Sequence, residues 1–202
     1  VRPVCVVVLV LVACGPAPSI APPGSISCPA LERSIVGTWT REGTVMEIRA
    51  DGAIVRNTIE GAFRWVAPGR ATVDIRGSHE EHALGMITPV RMLDVDANDR
   101  AVVWSRVSPP PAAPDACFDV RGSVIGRWTD GAETESFDAN GSYERGSRRG
   151  TWQMVEAGTL DLRVGESTTR YRIALASPTL LVSTPESGVD AARGTLVESR
   201  LP

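Results

Sequence analysis

Histidine, clustered basic charge and helical periodicity are all scarce in this chain of 202 residues, and each shortage excludes something. Only His79 and His82 are present, so a Ser/His/Asp reading has to draw on those two alone, and no Gly-x-Ser-x-Gly elbow accompanies them. The formal net charge is −3 and the arginines are scattered, which removes the clustered basic face that nucleic acid requires. No glycine-rich loop is built to cradle phosphate, and no Cys-x-x-Cys spacing suggests redox work. Carboxylates are plentiful, but no catalytic pair stands out among the 24 Asp and Glu residues. The chain therefore reads as no enzyme, with no cofactor, no metal and no nucleic-acid partner.

What the chain does have is a duplication. Ser34-Ile35-Val36-Gly37-Thr38-Trp39-Thr40 returns 89 residues later as Ser123-Val124-Ile125-Gly126-Arg127-Trp128-Thr129. The same offset carries Cys28 onto Cys117, Ile48 onto Phe137, Asp51-Gly52 onto Asn140-Gly141, Arg56 onto Arg145 and Phe63 onto Trp152. Each copy holds short runs of period-two character separated by turn residues. In the first, strands are expected over 36–41, 45–50, 53–58, 62–66, 71–76, 83–88, 90–95 and 101–107. In the second they are expected over 125–130, 133–138, 142–145, 150–155, 159–164, 169–176, 179–184 and 195–201. Asp51-Gly52 and Asn140-Gly141 are dipeptides suited to type I′ hairpins. A short helical turn fits only around 29–33. Eight sequential strands per copy favour an up-and-down barrel, which leaves no exposed edge.

The order Gly-x-Trp, apolar strand, Asp/Asn-Gly, Gly-x-Phe/Trp and alternating aliphatics resembles the lipocalin-like barrels of bacterial envelope proteins. That resemblance implies an all-β fold of two tandem eight-stranded up-and-down barrels, over 28–107 and 117–202, joined by a Pro-rich linker at 108–116. It also implies an arginine from the last strand lying across the Gly-x-Trp tryptophan. By position and repeat these are Arg106 on Trp39 and Arg200 on Trp128.

Leu11-Val12-Ala13-Cys14 follows an apolar run and resembles the bacterial lipobox. It implies a signal peptide over 1–13, lipidation of Cys14 and a bacterial envelope location, at the outer membrane in a Gram-negative host. Residues 14–27 then read as a Pro-, Ala- and Ser-rich tether. Cys28 and Cys117 remain, at equivalent places outside the cytoplasm, and are expected to form a disulfide across a pseudo-twofold axis. Ser78-His79-Glu80-Glu81-His82 lacks metalloprotease spacing and reads as a solvated charged hairpin turn rather than a metal site. Asp74 with Arg76, and Asp161 with Arg163, read as exposed ion pairs. The expected function is non-catalytic: binding of a small apolar ligand in a barrel, or interaction with an envelope protein as scaffold or protease inhibitor. The membrane is the further partner, through the lipid anchor.

Overall fold

The computed structural model describes residues 31–110, 120–187 and 194–202. In chain order these form α1 (Leu31–Ser34), β1 (Gly37–Arg41), β2 (Thr44–Ile48), β3 (Ala53–Arg56), β4 (Ile59–Ala67), β5 (Arg70–Ile75), β6 (Ser78–Thr88), β7 (Arg91–Asp96) and β8 (Ala101–Arg106). The second half gives α2 (Val120–Val124), β9 (Gly126–Thr129), β10 (Thr134–Phe137), β11 (Ser142–Arg145), β12 (Arg148–Glu156), β13 (Thr159–Val164), β14 (Ser167–Ser177), β15 (Leu180–Ser187) and β16 (Leu196–Arg200).

The fold is all-β. Strands β9 to β16 pair antiparallel in sequence order, and β16 returns to β9 through Arg200↔Trp128, closing an eight-stranded barrel. The other eight strands pair in the same cyclic order, with β8 returning to β1 through Trp39↔Arg106. Inward positions recur at period two, as in the alternating burial of Thr134-Glu135-Ser136-Phe137.

Four strands break that alternation with runs of four or more buried residues: β7 is buried from Met92 through Val95 and β15 from Leu181 through Thr184, and β6 and β14 break it where the two halves meet. His82 through Ile87 of β6 are buried without interruption, as are Ile173 through Ala176 of β14. One face of each strand fills its own half, and the other face is covered by the opposite half. β6 and β14 meet antiparallel at Met86↔Leu175, residues 89 apart and hence equivalent in the repeat. This is the self-matching contact of a twofold interface, made within one chain. Ala174, Ala176 and Val182 join the hydrophobic core of the first half. Gly85 permits the approach: a Cβ there would lie 2.8 Å from the Ala174 Cβ and 3.1 Å from its carbonyl carbon.

Several details differ from the sequence reading. The expected helical turn is α1, and its repeat partner α2 was not foreseen. Asp51-Gly52 is not a type I′ turn, since only Gly52 has positive φ; Gly52 N–H bonds back to the Arg49 carbonyl and makes a wider connection. Positive φ at both central residues occurs instead at Glu42-Gly43, Asn57-Thr58 and Arg76-Gly77.

Candidate functional site

The two halves have the same ends and different mouths. At one end, a short helix and a tryptophan form a floor. Trp39 Nε1–H donates to the Ile35 carbonyl at 2.8 Å, and Trp128 Nε1–H donates to the equivalent Val124 carbonyl at 2.8 Å. The Arg106 guanidinium lies 4.2 Å from the Trp39 ring centroid and that of Arg200 lies 5.3 Å from Trp128. Arg106 donates to the carbonyls of Ser34, Val36 and Pro89, while Arg200 donates to that of Ile125. Burial lowers the Arg106 pKa below the usual arginine value. The glycine of Gly-x-Trp makes room for this: with φ of 143° at Gly37, a Cβ would meet the Arg106 guanidinium at 2.5 Å.

At the opposite end of the first half, β3, β6, β7 and β8 bring Arg56, His82, Asp94 and Trp104 together. His82 Nδ1–H donates to Asp94 Oδ1 at 2.6 Å, and Trp104 Nε1–H donates to Asp94 Oδ2 at 3.0 Å. The carboxylate thus fixes both rings. Burial pulls the His82 pKa down, but the hydrogen bond and charge of Asp94 outweigh it and the net shift is upward. His82 Nε2 and Arg56 Nε are buried without a hydrogen-bond partner. Both residues line a mouth cavity of about 340 Å³, with Arg41 and Arg100 on its rim.

The second half closes its mouth with its own ions. Arg145, 4% exposed, bonds Glu133 at 2.6 Å, Asp130 at 2.9 Å and Glu135 at 3.2 Å, and Glu198 stands 3.8 Å away. Tyr143 O–H donates to Glu135 at 2.9 Å, and Ser183 O–H to Glu198 at 3.2 Å. Burial lowers Arg145, but its carboxylates outweigh that and raise it above the usual value. The backbone N–H of Glu133, with Ala132 and Arg145, holds Asp130 down at about 2. Burial, reinforced by the charge of Glu135, pushes Glu198 up to about 8, so it carries its proton at neutral pH.

Behind both mouths the interiors are full. The free space among Met46, Ile54, Phe63, Val73, Leu84 and Met92 is about 10 Å³, and that among Phe137, Leu160, Leu162, Ile173 and Leu181 about 20 Å³. Each is room for one water at most.

No protein-family model, no curated protein and no solved structure matches the chain.

The other expected site residues fall out as follows. Cys14, Cys28 and Cys117 lie outside the described residues. The histidines are not in a solvated turn: both sit in β6, three residues apart and so on opposite faces. His79 is exposed and bonds Asp74 at 2.6 Å, while His82 is 5% exposed, so the two imidazoles do not converge. No metal-binding group of three or more His, Cys, Asp or Glu exists among the described residues. The aspartates also pair differently from the expectation. Asp74 takes His79 and Asp161 takes Arg170 at 2.7 Å, both on the neighbouring strand, because residues two apart on one strand do not face each other as closely. Sequence reasoning passed over Asp94, Trp104, Glu135 and Glu198. Their signal was a charged or hydrogen-bonding residue at an inward position of an alternating strand.

Proposed function

We propose that this chain is a non-catalytic lipoprotein of the bacterial cell envelope. Two tandem lipocalin-like barrels are held off the membrane by a tether from lipidated Cys14, with Cys28 and Cys117 bonded to each other. Its work is interaction with an envelope protein through the outer surface and the barrel mouths. One observation carries this reading: the filled interiors. Small-molecule sites run to about 300–1,000 Å³, whereas the apolar barrel interiors offer about 10 and 20 Å³, and the mouth cavity of about 340 Å³ is lined mainly by charged residues that do not suit an apolar ligand. Eight short staves leave an interior that side chains occupy. An apolar ligand would have to displace several of them, whereas a protein partner needs no such opening.

The experiment is photo-crosslinking in the bacterial host, with a photoreactive residue at the exposed Val66 or Val107. A discrete adduct with an envelope protein, lost in Cys14→Ser together with membrane fractionation, is the expected result. A protein that stays with the membrane in Cys14→Ser, or that forms no adduct at either position, would contradict the reading.

A further inference from the structure

The duplication supplies an internal comparison that identifies what the first mouth is missing. Arg56 and Arg145 are the same position in the two repeats. Around Arg145 stand Asp130, Glu133, Glu135 and Glu198. The first three correspond, 89 residues earlier, to Arg41, Thr44 and Met46, and the strand register makes Glu198 the counterpart of Trp104. The three carboxylates that bond the second arginine, and the protonated Glu198 beside them, have thus all been replaced in the first half. Among the described residues no carboxylate lies within ion-pair distance of Arg56. Its Nε–H is buried and unpartnered beside an equally unpartnered His82 Nε2, on a side chain 5% exposed. The acid nearest to His82 Nε2 is Glu80, at 3.6 Å, beyond hydrogen-bond reach and half-exposed. Asp94 is already taken by His82 and Trp104. Arg56 and His82 both line the mouth cavity of about 340 Å³ and also the small space of about 10 Å³ behind it.

We propose that the mouth of the first barrel binds a carboxylate from outside the chain, gripped by Arg56 and His82 Nε2, where the second barrel supplies its own. Asp94 and Trp104 hold the imidazole so that Nδ1 is engaged and Nε2 faces the ligand. Arg41 and Arg100 line the same mouth, as do the acids Glu80 and Asp96, so the specific grip on an incoming carboxylate rests on Arg56 and His82. Because Nδ1–H is given to Asp94, Nε2 donates in the protonated imidazolium, and in that form a carboxylate that reaches it and Arg56 Nε–H satisfies two buried donors with charge-assisted bonds. The site stands independently of the envelope-partner reading: a free acid and an acidic side chain of a protein present the same group.

The test uses imidazole nitrogen resonances of the full-length chain, in which His79 is the built-in exposed control. The probes are sodium succinate, a capped tripeptide whose only charge is one glutamate, and inorganic phosphate. Saturable movement of the His82 Nε2 signal by succinate or by the peptide, with His79 unmoved, is expected. Response to succinate alone assigns a free acid, and tighter response to the peptide assigns a protein side chain. Arg56→Gln should weaken binding at least about tenfold. Should that variant fold poorly, Thr44→Glu places a carboxylate where Glu133 stands in the other half and should abolish the response. A His82 signal that no carboxylate moves at tens of millimolar, one that phosphate moves equally, or one indifferent to both substitutions would overturn the proposal.

Discussion

Replacing Arg106 by methionine should destabilise the protein far more than the same change at Arg200. Both arginines occupy one position of the repeat, so the difference isolates what each side chain touches. Arg106 stacks at 4.2 Å from the Trp39 centroid and donates to three carbonyls, whereas Arg200 stacks at 5.3 Å and donates to one. The stacking contact contributes roughly 0.5–2 kcal/mol. Each carbonyl left without its donor costs about 1 kcal/mol, because these ends are half-buried and partly reached by water. Methionine retains much of the apolar stem and so spares the packing. Loss of about 3–5 kcal/mol is then expected for Arg106→Met and of about 1–3 kcal/mol for Arg200→Met. Urea unfolding of the full chain, followed by tryptophan fluorescence, reads both. Equal losses, or a loss below about 1 kcal/mol for Arg106→Met, would refute the idea that this arginine fastens β8, α1 and the β6–β7 turn together.

Glu198 gives a pH signature of definite sign. Its pKa in the folded state is about 8 against 4.5 ordinarily, so between those values the folded chain holds a proton that the unfolded chain has lost. Stability from this group is therefore highest at acid pH and falls as pH rises through the window, by up to about 1.4 kcal/mol per pH unit. Glu198→Gln should flatten that slope in urea titrations, and an unchanged slope would contradict the assignment. Gly85→Val should cost roughly 1–3 kcal/mol by forcing the two halves apart, because the new side chain meets Ala174 backbone as well as its Cβ. A variant as stable as the parent would mean that the halves do not pack as described.

The duplication was legible because turn glycines, tryptophans and arginines recur at one offset; strand number and the neighbouring of first and last strands followed from it. The arginine–tryptophan contacts were expected from the resemblance and from the repeat, and in the structure Trp39↔Arg106 and Trp128↔Arg200 are direct cross-strand neighbours. The interface between the halves was not, although its trace is plain in retrospect. Ala83-Leu84-Gly85-Met86-Ile87 and Ile173-Ala174-Leu175-Ala176 are continuous apolar runs, the pattern of a strand buried on both faces. His82 was misplaced because its polar neighbours Glu80 and Glu81 suggested a turn. Two-residue periodicity carried through from Leu84 would have put it inside. The ion cluster of the second mouth was illegible for another reason: Asp130, Glu133 and Glu135 meet Arg145 only through the register of one hairpin, Glu135↔Arg145, and only closure of the barrel brings Glu198 beside them.

The filled interiors are the centre of the functional account, and native mass spectrometry of the chain purified from its host tests them most directly. The account predicts the mass of the processed chain with acyl groups at Cys14 and no apolar small molecule attached. A stoichiometric apolar ligand that survives extraction would contradict it.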